Sequence, residues 1–285
     1  MSKKIVITGL GAFSPLGATA PDSWEALLRG GSGARPIEPK GVFESIELPV
    51  TFAASVAVDP SEKLERVVAR RLDPSSQYAL IAGREAFADA GLTEDSVDPE
   101  RLLVDWATGI GGVWSLLDAW DTLRERGARR VMPLTVPMLM PNAAGAAIGM
   151  HLNARAGIRT AVSACASSTE SIIQAYEHLQ QGLADVVIAG GSEAAIHPLP
   201  VAAFAAMQAL SKRNDNPEAA SRPYDVDRDG FVLGEGAAAL ILETEEHALA
   251  RGAKIYAEVA GGGITAHAYH ITCLLYTSPN PRDRG

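Results

Sequence analysis

The chain has 285 residues, of which 47% are hydrophobic and 21% charged, a composition typical of a soluble globular protein. Its formal net charge of −9 argues against nucleic acid as a partner, because phosphate binding needs a basic surface. Two widely separated cysteines, Cys165 and Cys273, do not form the disulfide framework of a small secreted protein.

The first apolar run, at residues 5–7, is too short for a signal peptide. No run reaches the ~20 apolar residues that cross a bilayer, so we expect a cytoplasmic protein without a membrane partner.

The first half of the chain is predicted to begin with a strand at 3–11 that ends in a glycine-rich turn, followed by a helix from Pro21 capped near Asp22 or Ser23. Loops and short extended pieces follow at 31–60, and then a helix at 77–90 opened by residues 73–76. A strand at 101–107 and helices at 113–126 and 140–151 complete this half.

The second half continues the mixture of strands and helices. Its predicted elements are a short strand at 160–162, a helix at 169–181, buried strands at 184–191 and 237–242, a helix at 245–251 and a strand at 254–261. The strand–helix–strand unit from 160 to 191 indicates parallel strands, because a crossover helix joins them. Continuous apolar strands among helices predict an α/β sheet covered on both faces.

Cys165 lies between the strand at 160–162 and the helix at 169–181, and its neighbours in the segment 162–169 are small. Small residues permit the sharp turn that exposes a nucleophile between a strand and a helix. The helix N-terminus would favour a thiolate, and its free N–H groups could hold an oxyanion. A buried, inert cysteine is the alternative, and the pattern leaves the two interpretations about equally open.

The segment from Ser221 to Gly236 is rich in carboxylates, arginines and glycines. Its acidic spacing does not fit a calcium loop, and a folded loop held by Arg–Asp pairs is favoured. No histidine or cysteine pair has the spacing of metal ligands, so we expect no metal. The glycines at 109–112 lack a phosphate-loop lysine and do not form a dinucleotide fingerprint.

The chain resembles the elongating, type II β-ketoacyl-[acyl-carrier-protein] synthases over about Lys3 to Thr272. The segments that carry the resemblance are 6–11 with 14–17, 162–166, 189–194 and 222–236. The resemblance implies an α/β fold of the thiolase-like type, with two similar halves stacked as αβαβα layers. It places an N-terminal half at 1–255, the start of a C-terminal half at 256–272, and a tail at 273–285 that does not look native.

The resemblance also implies a reaction, a decarboxylative Claisen condensation in fatty-acid biosynthesis. Cys165 would take the acyl chain from acyl carrier protein, and its backbone N–H would be one oxyanion donor. Ile110 and Phe204 match positions that line the acyl pocket, although core packing explains their apolar character equally well. No cofactor is implied beyond the phosphopantetheine that arrives on the carrier protein, and the family enzyme is a homodimer.

Four arginines, Arg70, Arg71, Arg129 and Arg130, lie where the family presents basic residues to the acidic carrier protein. Local complementarity of this kind would let an acidic enzyme bind an acidic partner. Ordinary solvated arginines are an equal alternative for each position.

The sequence departs from the family pattern toward its end. The family completes its site with two histidines, a lysine and a glutamate downstream, and none of the six histidines here lies in either family histidine motif. His267 stands where the family usually has aspartate, and the match stops at Cys273. We therefore expect residues from about Cys273 to be a cloning, sequencing or frameshift artefact, and we expect this chain not to complete the condensation.

Three other functions remain open from the sequence. A ketosynthase of a polyketide system would share the same motifs, whereas a chain-length factor is disfavoured because those proteins typically lack the cysteine. A fragment that only dimerises or binds carrier protein is the second. An unrelated thiol hydrolase is the third, and its base would have to be His151, His197 or His270.

Overall fold

A computed structural model of the chain describes residues 3–93 and 95–266. The predictions that concern His267, His270, Cys273 and the tail at 273–285 fall outside the described residues. Within them, no helix combines the length and the apolar character needed to span a membrane.

The strands are β1 (Ile5–Phe13), β2 (Arg35–Pro36), β3 (Phe52–Ala53), β4 (Leu102–Ala107), β5 (Gly157–Ala161), β6 (Val186–Glu193), β7 (Gly236–Thr244) and β8 (Ala257–Val259). The α-helices are α1 (Ala20–Leu28), α2 (Arg66–Ala69), α3 (Pro74–Asp89), α4 (Val113–Arg126), α5 (Thr135–Leu139), α6 (Ala143–His151), α7 (Ser167–Gln180), α8 (Pro198–Ala206) and α9 (Glu245–Ala250). Short 3-10 turns connect several of them, including one at Ala164–Ala166 directly before α7.

Six of the strands form one mixed sheet in the order β5-β4-β6-β7-β1-β8. β4 lies between β5 and β6 and is parallel to both, so the predicted parallel strands are parallel but do not pair with each other. β7 runs antiparallel to β6 and β1, and β8 runs antiparallel to β1. The ends of β4 and β6 therefore lie side by side at one edge of the sheet.

Helices cover both faces of the sheet, as the apolar strands predict. α3 and α6 bury the face that carries Phe13, Trp106 and Ile188, and Trp106 is completely buried. On the opposite face, α7 places Ala175 and Leu179 against alternate strand residues, and both are fully buried. Apolar side chains on both faces make the sheet the centre of the core.

The prediction that β1 ends at its glycines is wrong, because the strand continues through Gly9 and Gly11 to Phe13. α3 packs directly on these glycines. A Cβ atom at Gly9 would lie 2.2 Å from the Ala86 carbonyl oxygen, and one at Gly11 would lie 2.0 Å from that of Ala82. Glycine is required here for the close approach of helix and strand, and no turn is involved.

Several predicted boundaries also differ from the structure. α1 is capped by Thr19, whose Oγ1 accepts the Asp22 N–H, and neither Asp22 nor Ser23 is the cap. α6 begins at Ala143 because Met140 is extended, as expected for a residue before proline. The predicted strand at 254–261 shortens to β8, and α8 was not predicted from the sequence.

A third apolar cluster lies apart from the sheet. It joins the β2–β3 pair to α8 through Phe52, Ile196 and Val201, and Phe204 packs against it. This cluster positions α8 and with it one wall of the cavity described below.

Candidate active site

Cys165 is the middle residue of the turn Ala164–Ala166, between β5 and α7, and its side chain is exposed. The preceding residue, Ala164, has a φ of +52°, a left-handed conformation that non-glycine residues rarely adopt. Backbone outliers of this kind cluster at functional sites. The exposure of Cys165 excludes the buried position that the sequence left open, and its role as nucleophile stays a prediction.

The side chain of Ser167 holds this turn closed. Its Oγ accepts the Ser163 N–H at 2.8 Å and donates to the Ala164 carbonyl at 2.7 Å. Ser167 is the first residue of α7 and is buried. The turn that presents Cys165 is thus fixed from both sides of that residue.

Cys165 opens onto a cavity of about 640 Å³ at the ends of β4, β6 and β7. Its walls are mostly apolar or small, and Ile110 and Phe204 both contribute to them. Glu193, Leu233 and Glu235 also line the cavity. The structure therefore brings together Cys165, Ile110 and Phe204, as a pocket for an apolar chain requires.

Two carboxylates reach this cavity. Burial raises the pKa of Glu193, while the N–H groups of Gly109 and Ile110 oppose that rise. Burial raises the pKa of Glu235 to about 7, and hydrogen bonds from the Val56 N–H and the Tyr78 hydroxyl lower it. Sequence reasoning named neither residue as part of a site.

The four arginines do not line the cavity, and all four are exposed. Arg70 and Arg71 follow α2, and Arg129 and Arg130 lie in the 3-10 turn after α4. Arg71 lines a small pocket of about 130 Å³ together with Pro137 and Met138 of α5. Of the four arginines, Arg71 lies beside α5, and Arg129 and Arg130 precede that helix along the chain.

A buried acid–histidine pair was not predicted as part of any site. A hydrogen bond joins Asp105 of β4 to His178 of α7, with 2.8 Å between Oδ2 and Nδ1. Burial raises the pKa of Asp105, and His178 lowers it. A lone carboxylate inside the apolar strand 102–107 was the available signal, because a buried carboxylate needs a partner.

Histidines are absent from the lining of the cavity in the part of the chain that the structure describes. His197 caps α8 and packs edge-on against Trp114, and His151 ends α6. A thiol hydrolase using either as its base therefore lacks the required geometry. His270 lies outside the described residues.

The acidic loop from Ser221 to Gly236 is held by Arg–Asp contacts, as predicted. Arg222 lies 3.8 Å from Asp225, and Arg213, which precedes the loop, lies 3.5 Å from Asp229. Over the ranges 3–93 and 95–266, no group of three or more His, Cys, Asp or Glu residues is arranged to hold a metal ion.

Known proteins match the chain over most of its length. The family "Beta-ketoacyl synthase, N-terminal domain" matches residues 2–248. The 3-oxoacyl-[acyl-carrier-protein] synthase 2 of Synechocystis is 42% identical over 99% of this chain and 66% of its own length. That of Mycobacterium tuberculosis is 41% identical over 94% of this chain and 64% of its own length. The chain thus spans slightly less than two thirds of these curated relatives.

Solved structures show the same similarity. A β-ketoacyl synthase from Burkholderia phymatum superposes with a TM-score of 0.84 at 34% identity, covering 95% of this chain and 66% of that chain. A type II polyketide ketosynthase in complex with its acyl carrier protein gives a TM-score of 0.84 at 31% identity, covering 96% of this chain and 66% of that one.

Proposed function

We propose, from the premise that the chain belongs to the β-ketoacyl synthase family, that it provides the acyl-accepting part of an elongating β-ketoacyl-[acyl-carrier-protein] synthase of fatty-acid biosynthesis. The observation that carries the proposal is the exposed Cys165, seated on a strained turn at the mouth of a cavity with apolar walls. A cytoplasmic location is part of this proposal.

The resemblance and the fold class predicted from the sequence are confirmed. The solved relatives share the thiolase-like ketosynthase fold, and the described residues form helix, sheet and helix layers of that fold. The curated relatives are named 3-oxoacyl-[acyl-carrier-protein] synthase 2, and they match along nearly the whole chain.

The first step would be a transthioesterification. Sγ of Cys165 attacks the carbonyl carbon of an acyl thioester, the bond from that carbon to the phosphopantetheine sulfur breaks, and the thiol proton ends on the departing pantetheine thiol. The Cys165 N–H would donate to the oxyanion at the turn before α7. The acyl chain would lie in the cavity between Ile110 and Phe204.

The second step is condensation with malonyl-carrier protein, which loses CO2 so that the resulting carbanion attacks the acyl group on Cys165. In the resemblance described above, two histidines assist this step, and neither histidine motif occurs in this sequence. The described residues support the acyl transfer, and the proposal made from them is limited to that step.

The carrier protein would dock on the exposed arginines Arg70, Arg71, Arg129 and Arg130, of which Arg71 lies beside α5. A homodimer would form through β5, which pairs only with β4 among the residues at 3–93 and 95–266 and leaves Ile158 40% exposed. An open, apolar edge strand favours pairing with a second chain.

Acylation of Cys165 is the direct test. The chain is incubated with palmitoyl-carrier protein, and peptide mass spectrometry locates the added acyl group. We expect it on Cys165, and we expect none in Cys165→Ala, with Cys273→Ala as the matched control because that variant retains Cys165. Absence of acylation on a folded wild-type chain would indicate a non-catalytic fragment.

A polyketide ketosynthase is the second candidate. Two of the solved relatives favour it, the polyketide ketosynthase above and the ishigamide ketosynthase/chain length factor, with a TM-score of 0.81 at 29% identity. Competition between a saturated acyl thioester and a β-keto acyl thioester for Cys165 distinguishes the two. Preference for the saturated chain supports fatty-acid elongation.

A further inference from the structure

Glu193 is the last residue of β6, and it lies beside the loop that joins β4 to α4. β4 and β6 are adjacent and parallel, with Ala107 opposite Gly191. The loop at 108–112 therefore begins next to the Glu193 carboxylate, although 80 or so residues separate them along the chain.

The carboxylate binds the backbone of this loop directly. Its Oε2 accepts the Gly109 N–H at 2.6 Å and the Ile110 N–H at 3.1 Å. The Thr108 hydroxyl lies 3.4 Å from both carboxylate oxygens and accepts the Gly111 N–H at 3.0 Å. The Glu193 side chain thus binds residues 108–110 directly and Gly111 through the Thr108 hydroxyl.

The sequence of the loop is adapted to this contact. A Cβ atom at Gly109 would lie 2.7 Å from Glu193 Oε2, so a larger residue would displace the carboxylate. Gly111 has a φ of +91°, which permits the turn that follows. The loop is therefore shaped around the acidic side chain.

The negative charge of Glu193 has no Lys, Arg or His within ion-pair distance among the residues at 3–93 and 95–266. The N–H groups of the loop compensate this negative charge, and together they form a small anion-binding concavity. Charge-assisted hydrogen bonds of this kind are about twice as strong as neutral ones. Loss of the carboxylate would release the loop and leave its donors unpaired.

Ile110 is the residue that this anchor positions. Its side chain is 46% exposed and lines the same cavity as Cys165 and Phe204, and it belongs to none of the three apolar clusters. Packing does not hold Ile110, so its place in the wall depends on the loop backbone, and the loop backbone is bonded to Glu193.

We propose that Glu193 is a positioning residue that fixes Ile110 in the cavity wall and thereby sets which acyl chain lengths Cys165 accepts. The proposal deepens the function proposed above and rests on it. Glu193 acts through the loop at 108–110 and does not itself contact the reacting sulfur.

The main experiment measures the acylation rate of Cys165 with N-acetylcysteamine thioesters from butyryl to palmitoyl. In Glu193→Gln, the amide oxygen can still accept from the Gly109 and Ile110 N–H groups, but these hydrogen bonds lose the assistance of the negative charge. We expect the ratio of long-chain to short-chain rates to change by about three- to tenfold. Ile110→Ala should change the same ratio, and the double variant should be non-additive.

A purely structural role predicts a different result. Loss of general stability would slow acylation by the same factor for every chain length, leave the ratio unchanged and add to the effect of Ile110→Ala. An unchanged ratio of long-chain to short-chain rates would overturn the proposal, and so would additive effects of Glu193→Gln and Ile110→Ala. If Glu193→Gln does not fold, Gly109→Ala tests the same contact while keeping the carboxylate.

A non-enzymatic measurement separates this proposal from the proposed function. Alkylation of Cys165 by N-alkyl iodoacetamides of increasing chain length reports the shape of the cavity without any acyl transfer. If wild-type Cys165 takes no acyl group, the proposed function fails. The alkylation profile of Glu193→Gln then still decides this proposal, because a profile identical to wild type would overturn it.

Discussion

Asp105 of β4 and His178 of α7 are joined by a hydrogen bond of 2.8 Å across the buried interface between the sheet and the helix. Both side chains are almost fully enclosed, and the Ser171 hydroxyl of the same helix donates to the Asp105 carbonyl. Cys165 lies on the turn that leads into this helix. The pair therefore holds α7, the helix that begins at the turn carrying Cys165, against the sheet.

We predict that His178→Ala lowers the free energy of unfolding by about 2–4 kcal/mol, because a buried carboxylate loses its partner. Urea denaturation followed by circular dichroism measures the change. Gln174→Ala on the same helix is the control, since it removes only the partly buried contact with Glu170. Equal effects of the two variants would contradict the prediction.

Ser167→Ala should slow acylation of Cys165 by about tenfold while the chain stays folded, because small displacements of a nucleophile are costly in rate. The variant removes both hydrogen bonds that close the turn, to Ser163 and Ala164. Mass-spectrometric acylation kinetics provide the measurement. Thr169→Ala, an exposed change in the same helical turn, should leave the rate near wild type.

The stability of the protein should depend on pH through Glu235. Burial raises its pKa from 4.5 to about 7, so the ionised carboxylate is less favourable in the folded than in the unfolded chain. The stability that this group contributes is fully present below about pH 4.5 and is lost as the pH rises through 7.

Glu235→Gln should remove this dependence. Relative to that variant, wild type should lose about 1–2 kcal/mol of unfolding free energy between acidic and mildly alkaline pH, a value reduced for partial contact with solvent. Urea denaturation across the pH range tests it, with the exposed Glu62→Gln as control. Parallel curves for wild type and Glu235→Gln would refute the assignment.

Reversal of charge at Arg129 and Arg130 should weaken binding of acyl carrier protein by about tenfold and reduce its dependence on salt. Arg70 and Arg71, reversed together, should behave in the same way because they are exposed cations of the same proposed docking surface. Titration at low and high salt measures both effects. Arg29→Glu, at the end of α1, is the control, and an equal loss in that variant would indicate a general charge effect.

Local patterns predicted most of the elements and the turn that carries Cys165. α4 occupies the predicted residues because Gly112 and Gly127 flank a periodic segment, and the small residues around Cys165 indicated the turn before α7. These features depend on neighbours along the chain.

The contacts that could not be predicted depend on strand order. Glu193 meets the loop at 108–110 only because β6 lies next to β4, and Asp105 meets His178 only because α7 crosses that face. The glycines of β1 were misinterpreted for the same reason, since the approach of α3 is invisible in a local pattern. Pairings between distant segments are fixed by the topology of the sheet.

The two apolar walls of the cavity differ in how much stability a mutation would remove. Phe204 stacks edge-on against Phe231, with ring centroids 5.3 Å apart, and is packed into the third cluster, whereas Ile110 lies outside the apolar clusters of the described residues. Substitution at 204 therefore sacrifices stability along with shape, and substitution at 110 changes shape almost alone. Under selection for a new substrate, the wall at Ile110 is free to change, and the wall at Phe204 is constrained by its packing against Phe231 and the third cluster.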